Sequence, residues 1–299
     1  MGLKLFFNNL RYLSRLNLKE IEKQRMGIEQ IHADMNAMLD NILYELPEHL
    51  GLVEKPKIKN FEQTIDDLIQ YRASICRFGD GEISLMEGGS IRFQKKNKEL
   101  AQRLRDILIS QNDKIFIGIN YHYYHADLSN VLDFSKHLLR TVVPALRDVL
   151  KKYLIPGRQY HAAGFTLAYT TFKEYDFDAY YNKMKNIWQD RNVTIICGGR
   201  IFDHLDFNIF DNARSLKYQY APTMHAYNEY NKILEEAKKI SKDDLVIIIL
   251  GPTATVLAYD LALEGYQALD MGHVAKDYDA YNKKLSKTKE NLITFFRPD

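Results

Sequence analysis

The sequence contains few cysteines and no long apolar run. Only Cys76 and Cys197 occur in 299 residues, so the chain offers no disulfide framework and suits a reducing compartment. Both fall in apolar stretches, and we predict that they are buried free thiols. No stretch reaches the roughly 18 apolar residues of a membrane span. The first residues also lack the apolar core and cleavage site of a secretory signal, so we expect a cytoplasmic protein.

The chain also lacks a charge excess. Its 41 Lys and Arg residues and 39 Asp and Glu residues leave a formal net charge of +2. A broad electrostatic nucleic-acid binder usually carries a basic excess, so we expect no nucleic-acid partner. The Walker A, GxGxxG and GxSxG motifs are absent as well, which removes the simplest nucleotide-binding and serine-hydrolase signatures.

From about residue 56 onward, short apolar runs alternate with helical patterns. Strands are predicted at residues 74–78, 114–120, 192–197, 245–250 and 267–271. Helices are predicted at residues 61–72, 97–110, 128–153, 227–240 and 253–264. Strands that are apolar on both faces and alternate with helices indicate an α/β fold. We therefore predict a Rossmann-like, mostly parallel sheet with helices on both faces.

The first part of the chain has the pattern of a long helix. Residues 1 to about 46 are predicted to be helical, and Pro47 is expected to end the segment. Apolar residues recur there at the seven-residue spacing of a coiled coil: Ile21, Ile28, Ile31, Met35, Met38 and Ile42. This stripe would serve either packing on the rest of the chain or pairing with a second copy.

The beginning of this helix has a composition of its own. Leucine and phenylalanine alternate with Lys4, Arg11 and Arg15, a pattern that suits the surface of an anionic membrane. We therefore divide the chain into a helical extension, residues 1–50, and an α/β domain, residues 51–299. The extension is expected to serve self-association or peripheral contact with the inner face of the membrane.

Two carboxylates follow the first predicted strand. Asp80 and Glu82 stand two residues apart beside Gly79 and Gly81, and we expect these glycines to adopt positive φ in a turn. Carboxylates at this spacing can share a hard divalent cation, such as Mg²⁺ or Mn²⁺, that phosphate oxygens also hold. Arg77 would add hydrogen-bond donors beside that charge.

Polar or glycine-rich segments follow three further predicted strands. In open parallel sheets, ligands bind outside the carboxyl ends of the strands. Residues 198–200, 251–255 and 272–273 are therefore candidates together with residues 79–82. Thr253 is expected to cap the following helix, whose start would bind an anion or form an ordinary turn. His273 would contact a phosphate, ligate a metal, move a proton or serve only the structure.

Two of these segments resemble one family. Residues 77–82, with residues 250–260 and 265–273, are similar to the bacterial GT-D-fold glycosyltransferases, which were first defined as a domain of unknown function. The resemblance spans roughly residues 57 to 280. Members extend glycans on serine-rich adhesins or build surface polysaccharides. The resemblance implies a Rossmann-like domain, a UDP-sugar donor and an Asp-x-Glu motif that works with a divalent metal.

The resemblance assigns roles to residues of this chain. Asp80 and Glu82 would be metal ligands and catalytic residues, and His273 would be a third catalytic residue. The resemblance places Arg77, Gly251, Pro252, Thr253 and Thr255 at the donor site. From their positions at the ends of predicted strands, we expect Phe78, Gly79, Gly198 and Arg200 to bind the donor as well. The stretch 198–208 departs from the family, whose members tend to carry a glutamate and a glycine-rich loop there, so the donor sugar is not implied.

These observations favour one reaction. We expect a hexose to move from a UDP-sugar to a hydroxyl of a saccharide or glycoprotein acceptor. A metal held by Asp80 and Glu82 would stabilise the departing UDP, and Glu82, His273 or Asp203 would take the acceptor proton. The alternatives are a metal-dependent nucleotide-sugar hydrolase and a non-catalytic scaffold that binds partners through its N-terminal helix.

Overall fold

The computed structural model describes residues 2–199 and 201–297, with side chains from Tyr12 onward except those of Asp34 and Ala37. The chain divides into two compact units, residues 1–53 and 54–299. The first unit is dominated by one helix, α1 (Gly2–His49). The prediction that Pro47 ends this helix is wrong by a few residues. Proline removes a single backbone hydrogen bond, and the last turn tolerates that loss.

The second unit is built on one sheet of eight strands. Every pairing between neighbouring strands is parallel, in the order β1-β4-β3-β2-β8-β7-β5-β6. The strands are β1 (Lys57–Ile58), β2 (Ser74–Phe78), β3 (Ile115–Ile119), β4 (Gln159–Ala162), β5 (Asn192–Gly198), β6 (Ser215–Ala221), β7 (Leu245–Ile249) and β8 (Gln267–Asp270).

Ten helices of the described chain follow α1 and cover this sheet. They are α2 (Phe61–Tyr71), α3 (Asp80–Met86), α4 (Lys98–Ile109), α5 (Asp133–Leu150), α6 (Ala168–Thr171), α7 (Phe177–Lys185), α8 (Tyr230–Ala237), α9 (Pro252–Leu263), α10 (Val274–Asn282) and α11 (Lys289–Phe295). All five residues of β7 are buried, which requires cover on both faces. The predicted α/β fold with a mostly parallel sheet is confirmed.

The predicted strands correspond to the buried middle of the sheet, whereas three strands escaped prediction. β1 has only two residues, and β4 carries the polar residues Gln159 and His161. β6 lies at the edge of the sheet, and all seven of its residues are exposed or only partly buried. Apolar runs therefore identify strands that are covered on both faces and miss strands at the margins. Both cysteines are buried and unpaired, as predicted.

No helix among the described residues is long and apolar enough to cross a membrane. This includes α1, whose apolar residues are interrupted by charged side chains throughout.

A buried carboxylate joins three helices. Asp277 of α10 accepts hydrogen bonds from the backbone N–H groups of Tyr169 and Thr170, at 3.0 and 3.1 Å. The hydroxyls of Thr170 and Tyr181 also donate to it, each at 2.7 Å. Burial raises the pKa of Asp277 to about 6, and these hydrogen bonds oppose the rise. Because the folded-state pKa is raised, protonation of this group favours folding, and this pH-dependent part of its contribution to stability is greatest below about pH 4. It is lost as the pH rises through about 6.

Replacing Asp277 by alanine should destabilise the protein by about 3 kcal/mol or more, because several buried donors lose their acceptor together. Asp178→Ala is the matched control, since Asp178 is exposed and accepts one hydrogen bond, from the Tyr281 hydroxyl at 2.6 Å. The control should change the free energy of unfolding by less than about 1 kcal/mol. Denaturant unfolding measures both variants, and equal losses would contradict this role of Asp277.

Candidate functional site

Four candidate segments meet at one edge of the sheet. Residues 79–82 follow β2, residues 272–273 come shortly after β8, residues 251–255 follow β7, and residues 198–199 end β5. These four strands are consecutive neighbours in the order β2-β8-β7-β5. Since parallel strands end at the same edge, the segments that the sequence places far apart lie side by side at the carboxyl ends of the strands.

The Asp-x-Glu motif forms the start of a helix. Gly79 is the residue before α3, Asp80 is its first residue, and Glu82 accepts a 2.9 Å hydrogen bond from the Gly79 N–H. The prediction that Gly79 and Gly81 adopt positive φ is wrong. Gly79 has φ −102°, and neither glycine has a positive φ, because a helix start needs an extended residue followed by helical ones.

The two carboxylates have different surroundings. Asp80 is exposed, and Glu82 is partly buried. Burial and the nearby charge of Asp270 raise the pKa of Glu82 to about 7, against the opposing effects of the Gly79 N–H, its own N–H and Arg77. Successive helical residues are rotated by about 100°, so side chains two apart do not face each other. The site thus presents one carboxylate to solvent and keeps the other against the protein.

Arg77 is held inside the site by a set of protein acceptors. Its Nε and Nη2 atoms donate to the carbonyl and carboxylate oxygens of Asp270 at 2.8 and 3.1 Å. Nη1 donates to the Ala163 carbonyl at 2.8 Å and to the Thr166 hydroxyl at 2.9 Å. The Thr255 hydroxyl donates to Asp270 Oδ2 at 3.2 Å and is 3.1 Å from the Arg77 carbonyl. Asp270 therefore orients Arg77, and the sequence did not reveal the part played by Ala163 and Thr166.

Gly272 leaves room for this guanidinium. It has φ +47°, and a Cβ atom at this position would lie 1.9 Å from Arg77 Nη2. Only glycine combines this backbone conformation with the space that Arg77 occupies. No local signal in the sequence marks this role, because the two residues are distant in the chain.

The start of α9 presents backbone groups to a ligand, and its side chains are buried. Gly251, with φ +54°, precedes the helix, and Pro252 is its first residue. Thr253 is buried and does not cap the helix, so that prediction is wrong. Thr255 and the predicted donor residue Phe78 are buried as well. Backbone groups around Gly251 are what this segment can offer a ligand.

His273 lies in an aromatic cluster. Its ring centroid is 5.9 Å from those of Phe93 and Phe295 and 5.7 Å from that of Phe296. Burial, together with the charges of Lys276 and Arg77, lowers the pKa of His273 to about 3. The imidazole is therefore neutral at physiological pH.

Phe93 belongs to a segment that the sequence did not single out. A Cβ atom on Gly251 would be 3.6 Å from Phe93 Cβ, so this aromatic residue lies against the start of α9. The Phe93 carbonyl accepts a 2.8 Å hydrogen bond from the His225 N–H. The Lys95 N–H donates to His225 Nδ1 at 3.2 Å. These bonds hold the segment beside the site.

The end of β5 is close to the segment after β6. A Cβ atom on Gly198 would lie 3.0 Å from Thr223 Cα and Oγ1, so a side chain there would displace Thr223. Arg200, a predicted donor-binding residue, lies outside the described residues. Asp203 is exposed in a short 3₁₀ turn, Ile201–His204.

Within residues 2–199 and 201–297, no group of three or more His, Cys, Asp or Glu side chains is arranged to hold a metal. A cation at Asp80 and Glu82 would therefore need oxygen ligands from a substrate or from water.

Comparisons with known proteins agree on one family. The model of the family described as the glycosyltransferase GT-D fold matches residues 75–293. The chain is 31% identical over 256 residues to the probable glycosyl transferase Gly of Streptococcus gordonii, covering 82% of this chain and 36% of that protein. It is 28% identical over 268 residues to the glycosyltransferase GlyD of Streptococcus pneumoniae serotype 4, covering 87% and 31% respectively. The chain thus spans about a third of the length of these relatives.

Comparisons with solved structures indicate the same family. The chain is similar to domain of unknown function 1792, reported to have a distinct glycosyltransferase fold, with a TM-score of 0.73 and 25% identity over 84% of this chain and 93% of that one. A DUF1792 glycosyltransferase from Streptococcus sanguinis is similar with a TM-score of 0.73 and 26% identity, covering 82% of this chain and 95% of that one.

Replacing Gly272 by alanine should destabilise the protein more than its backbone conformation alone explains. Gly157→Ala is the matched control, because Gly157 has φ +77° and no described atom within 4 Å of an added Cβ. The control should cost about 1 kcal/mol from the left-handed backbone. Gly272→Ala should cost roughly 1–3 kcal/mol more, because Arg77 must move. Denaturant unfolding compares them, and equal costs would show that Gly272 serves only its φ angle.

Proposed function

Since the chain belongs to the family of GT-D-fold glycosyltransferases, we propose that it is a metal-dependent enzyme that transfers a hexose from a UDP-sugar to a saccharide hydroxyl. The resemblance drawn from residues 77–82 and 250–273 is confirmed at the level of the family, and glycosyl transfer implies a sugar donor and an acceptor. The metal ion, the UDP-sugar donor and the hexose go beyond the family assignment and are proposed here. Its setting would be the synthesis of a surface glycan or glycoprotein.

The balance of charge at the sheet edge carries the proposal. Asp270 neutralises Arg77 through a buried ion pair. Asp80 adds an exposed carboxylate, and Glu82 stands two residues beyond it. Arg77 and Asp270 cancel, so these four side chains together carry a net negative charge from Asp80 and, when it is ionised, from Glu82, and they would repel a diphosphate. A divalent cation between exposed Asp80 and the diphosphate would remove this repulsion, and this supports the proposal of metal dependence.

The donor atoms suit such a cation. Asp80 and Glu82 offer only oxygen, the ligand that Mg²⁺ and Mn²⁺ prefer. Exposed Asp80 is open to a metal bound to phosphate. Glu82 uses one oxygen for the Gly79 N–H, and a carboxylate has a second. Burial and the charge of Asp270 raise the pKa of Glu82 to about 7, and a bound cation would favour the ionised form of this carboxylate. When bound, the metal would neutralise the charge that develops on UDP as it leaves.

Other groups would position the donor. The helix start at Gly251 would direct backbone N–H groups toward the diphosphate. Gly198 is buried against Thr223, so its role at the end of β5 would be to let Thr223 pack there. Arg77 would act mainly by fixing β2 against β8, because its donors are directed at Asp270, Ala163 and Thr166.

The acceptor proton requires a base. With a pKa of about 3, His273 is too weak a base for efficient proton transfer near neutral pH. We therefore assign the base to a carboxylate, Glu82 or Asp203. His273 would instead contribute a neutral ring and a hydrogen-bond donor to the wall of the site.

Asp80→Asn should weaken the binding of UDP in the presence of Mn²⁺ at least about tenfold, because an amide is a poorer ligand than a carboxylate for a hard cation. Calorimetric titration of UDP, first with Mn²⁺ and then with EDTA, measures this. Asp106→Asn on α4 is the matched control, since Asp106 is also an exposed helical aspartate. It should bind UDP as the wild type does.

Two results would contradict the proposal. Equal UDP affinity with Mn²⁺ and with EDTA would show that UDP binding does not depend on a metal. If UDP bound in neither condition, the proposed UDP-sugar donor would be wrong, and the family assignment would be unchanged. Once a donor sugar is found, release of free sugar at full rate without an acceptor would indicate a hydrolase in place of a transferase.

A further inference from the structure

Helix α1 exposes an apolar stripe, which we call the α1 seam. Its members are Ile21, Ile28, Ile31, Met35, Met38 and Ile42, and each is between 52% and 68% exposed. The spacing is seven residues from Ile21 to Ile28 and then alternates between three and four, which places all six along one side of the helix. Exposed apolar surface of this extent usually marks an interaction site.

The size of the exposed surface suits an interface between proteins. The seam runs about 32 Å along the helix, at about 1.5 Å per residue from Ile21 to Ile42. Fifteen large apolar side chains between Tyr12 and Leu50 are at least 45% exposed. A stable protein–protein interface of standard size uses roughly 20–30 residues from each partner. One helix of this length therefore supplies much of such an interface.

The charges of α1 are separated along its length. Residues 2–25 contain six Lys and Arg residues and two Glu residues, a net charge of +4. Residues 26–49 contain five Asp and Glu residues and no Lys or Arg, a net charge of −5. This order opposes the helix dipole, which favours acidic residues at the beginning and basic residues at the end. The arrangement is thus unfavourable for α1 alone.

A second α1 running in the opposite direction relieves this disadvantage. It would place the basic half of each helix beside the acidic half of the other, and the two helix dipoles would oppose each other. A parallel partner would instead bring like charges together. The seam and the charges therefore favour the same partner in one orientation.

A membrane surface is a poorer partner for the seam. Helices that lie on anionic membranes carry Lys and Arg on their polar face. From Met26 to His49, where most of the seam lies, the chain has neither.

We propose that α1 forms an antiparallel coiled coil with α1 of a second copy of this chain, giving a two-fold symmetric dimer. Both helices contribute the same surface to such an interface. The dimer would carry two transferase units, and it does not depend on the identity of the donor or the metal.

Sedimentation velocity of the full chain tests the dimer. The wild type should sediment with twice the chain mass of 35.0 kDa. Ile31→Glu should shift it to the monomer, because a charge would enter the seam. Met26→Glu is the matched control, since Met26 is 63% exposed but lies outside the seam, and this variant should stay dimeric. Circular dichroism of both variants separates loss of pairing from loss of helix.

Cysteine cross-linking tests the orientation. Leu18 and Leu39 lie on the same side of α1, 21 residues or about 32 Å apart, and both native cysteines are buried. A flexible thiol cross-linker should join Leu18→Cys protein to Leu39→Cys protein in a mixture. Each variant alone should form few cross-linked dimers. Cross-linking of each variant alone, without mixed products, would show a parallel pair and overturn the proposed orientation.

A monomeric wild type would overturn the proposal altogether. Sedimentation with vesicles of phosphatidylserine and phosphatidylcholine identifies the alternative. If monomeric wild type bound the vesicles and Ile31→Glu did not, the seam would be a membrane contact. A Met26→Glu variant that lost the dimer as completely as Ile31→Glu would also contradict an interface centred on the seam.

Discussion

The ion pair between Arg77 and Asp270 is the constraint on which the rest of the site depends. Its side chains are 14% and 5% exposed, and such a buried pair contributes little net stability, because both charges lose their water. Its effect is geometric. The guanidinium binds β2 to β8 and to the segment after β4, while Thr255 of α9 bonds to Asp270 and the Arg77 carbonyl. The pair thus connects β2, β8, the segment after β4 and α9, and the space that the guanidinium occupies is the reason why Gly272 must lack a side chain.

The same pair determines the electrostatics of the site. Because Asp270 neutralises Arg77, the arginine is a weak source of attraction for an anion, and the negative charge of Asp270 contributes to the raised pKa of Glu82. Burial raises the pKa of Glu82 and lowers the pKa of His273, because it disfavours the charged form of each group. Near neutral pH, the histidine thus adds no positive charge. Under the proposed function, a diphosphate at this edge would gain little attraction from Arg77 or His273, and a metal ion would supply the missing positive charge.

Sequence reasoning succeeded where information is local and failed where it is not. Apolar runs predicted the central strands, and the glycine and polar residues after them predicted the edge at which the segments meet. The pattern Gly79-Asp80-Gly81-Glu82 predicts a turn, but the structure has a helix start there, because acidic residues after an extended glycine suit both. The requirement for Gly272 and the contact of Phe93 with Gly251 depend on residues distant in the chain. A single sequence contains no signal for such contacts.

For helix α1 as well, the spacing of apolar residues predicts one feature and leaves another open. The seven-residue spacing predicts a helix with an apolar stripe, but it is silent about what covers that stripe. Charge adds the missing information, because a helix gains nothing by itself from a basic beginning and an acidic end. An antiparallel neighbour converts both features into favourable contacts at once, whereas packing on an apolar surface would explain the seam and leave the charges unexplained. The order of charges along α1 therefore supports pairing with a second copy more strongly than the apolar spacing does.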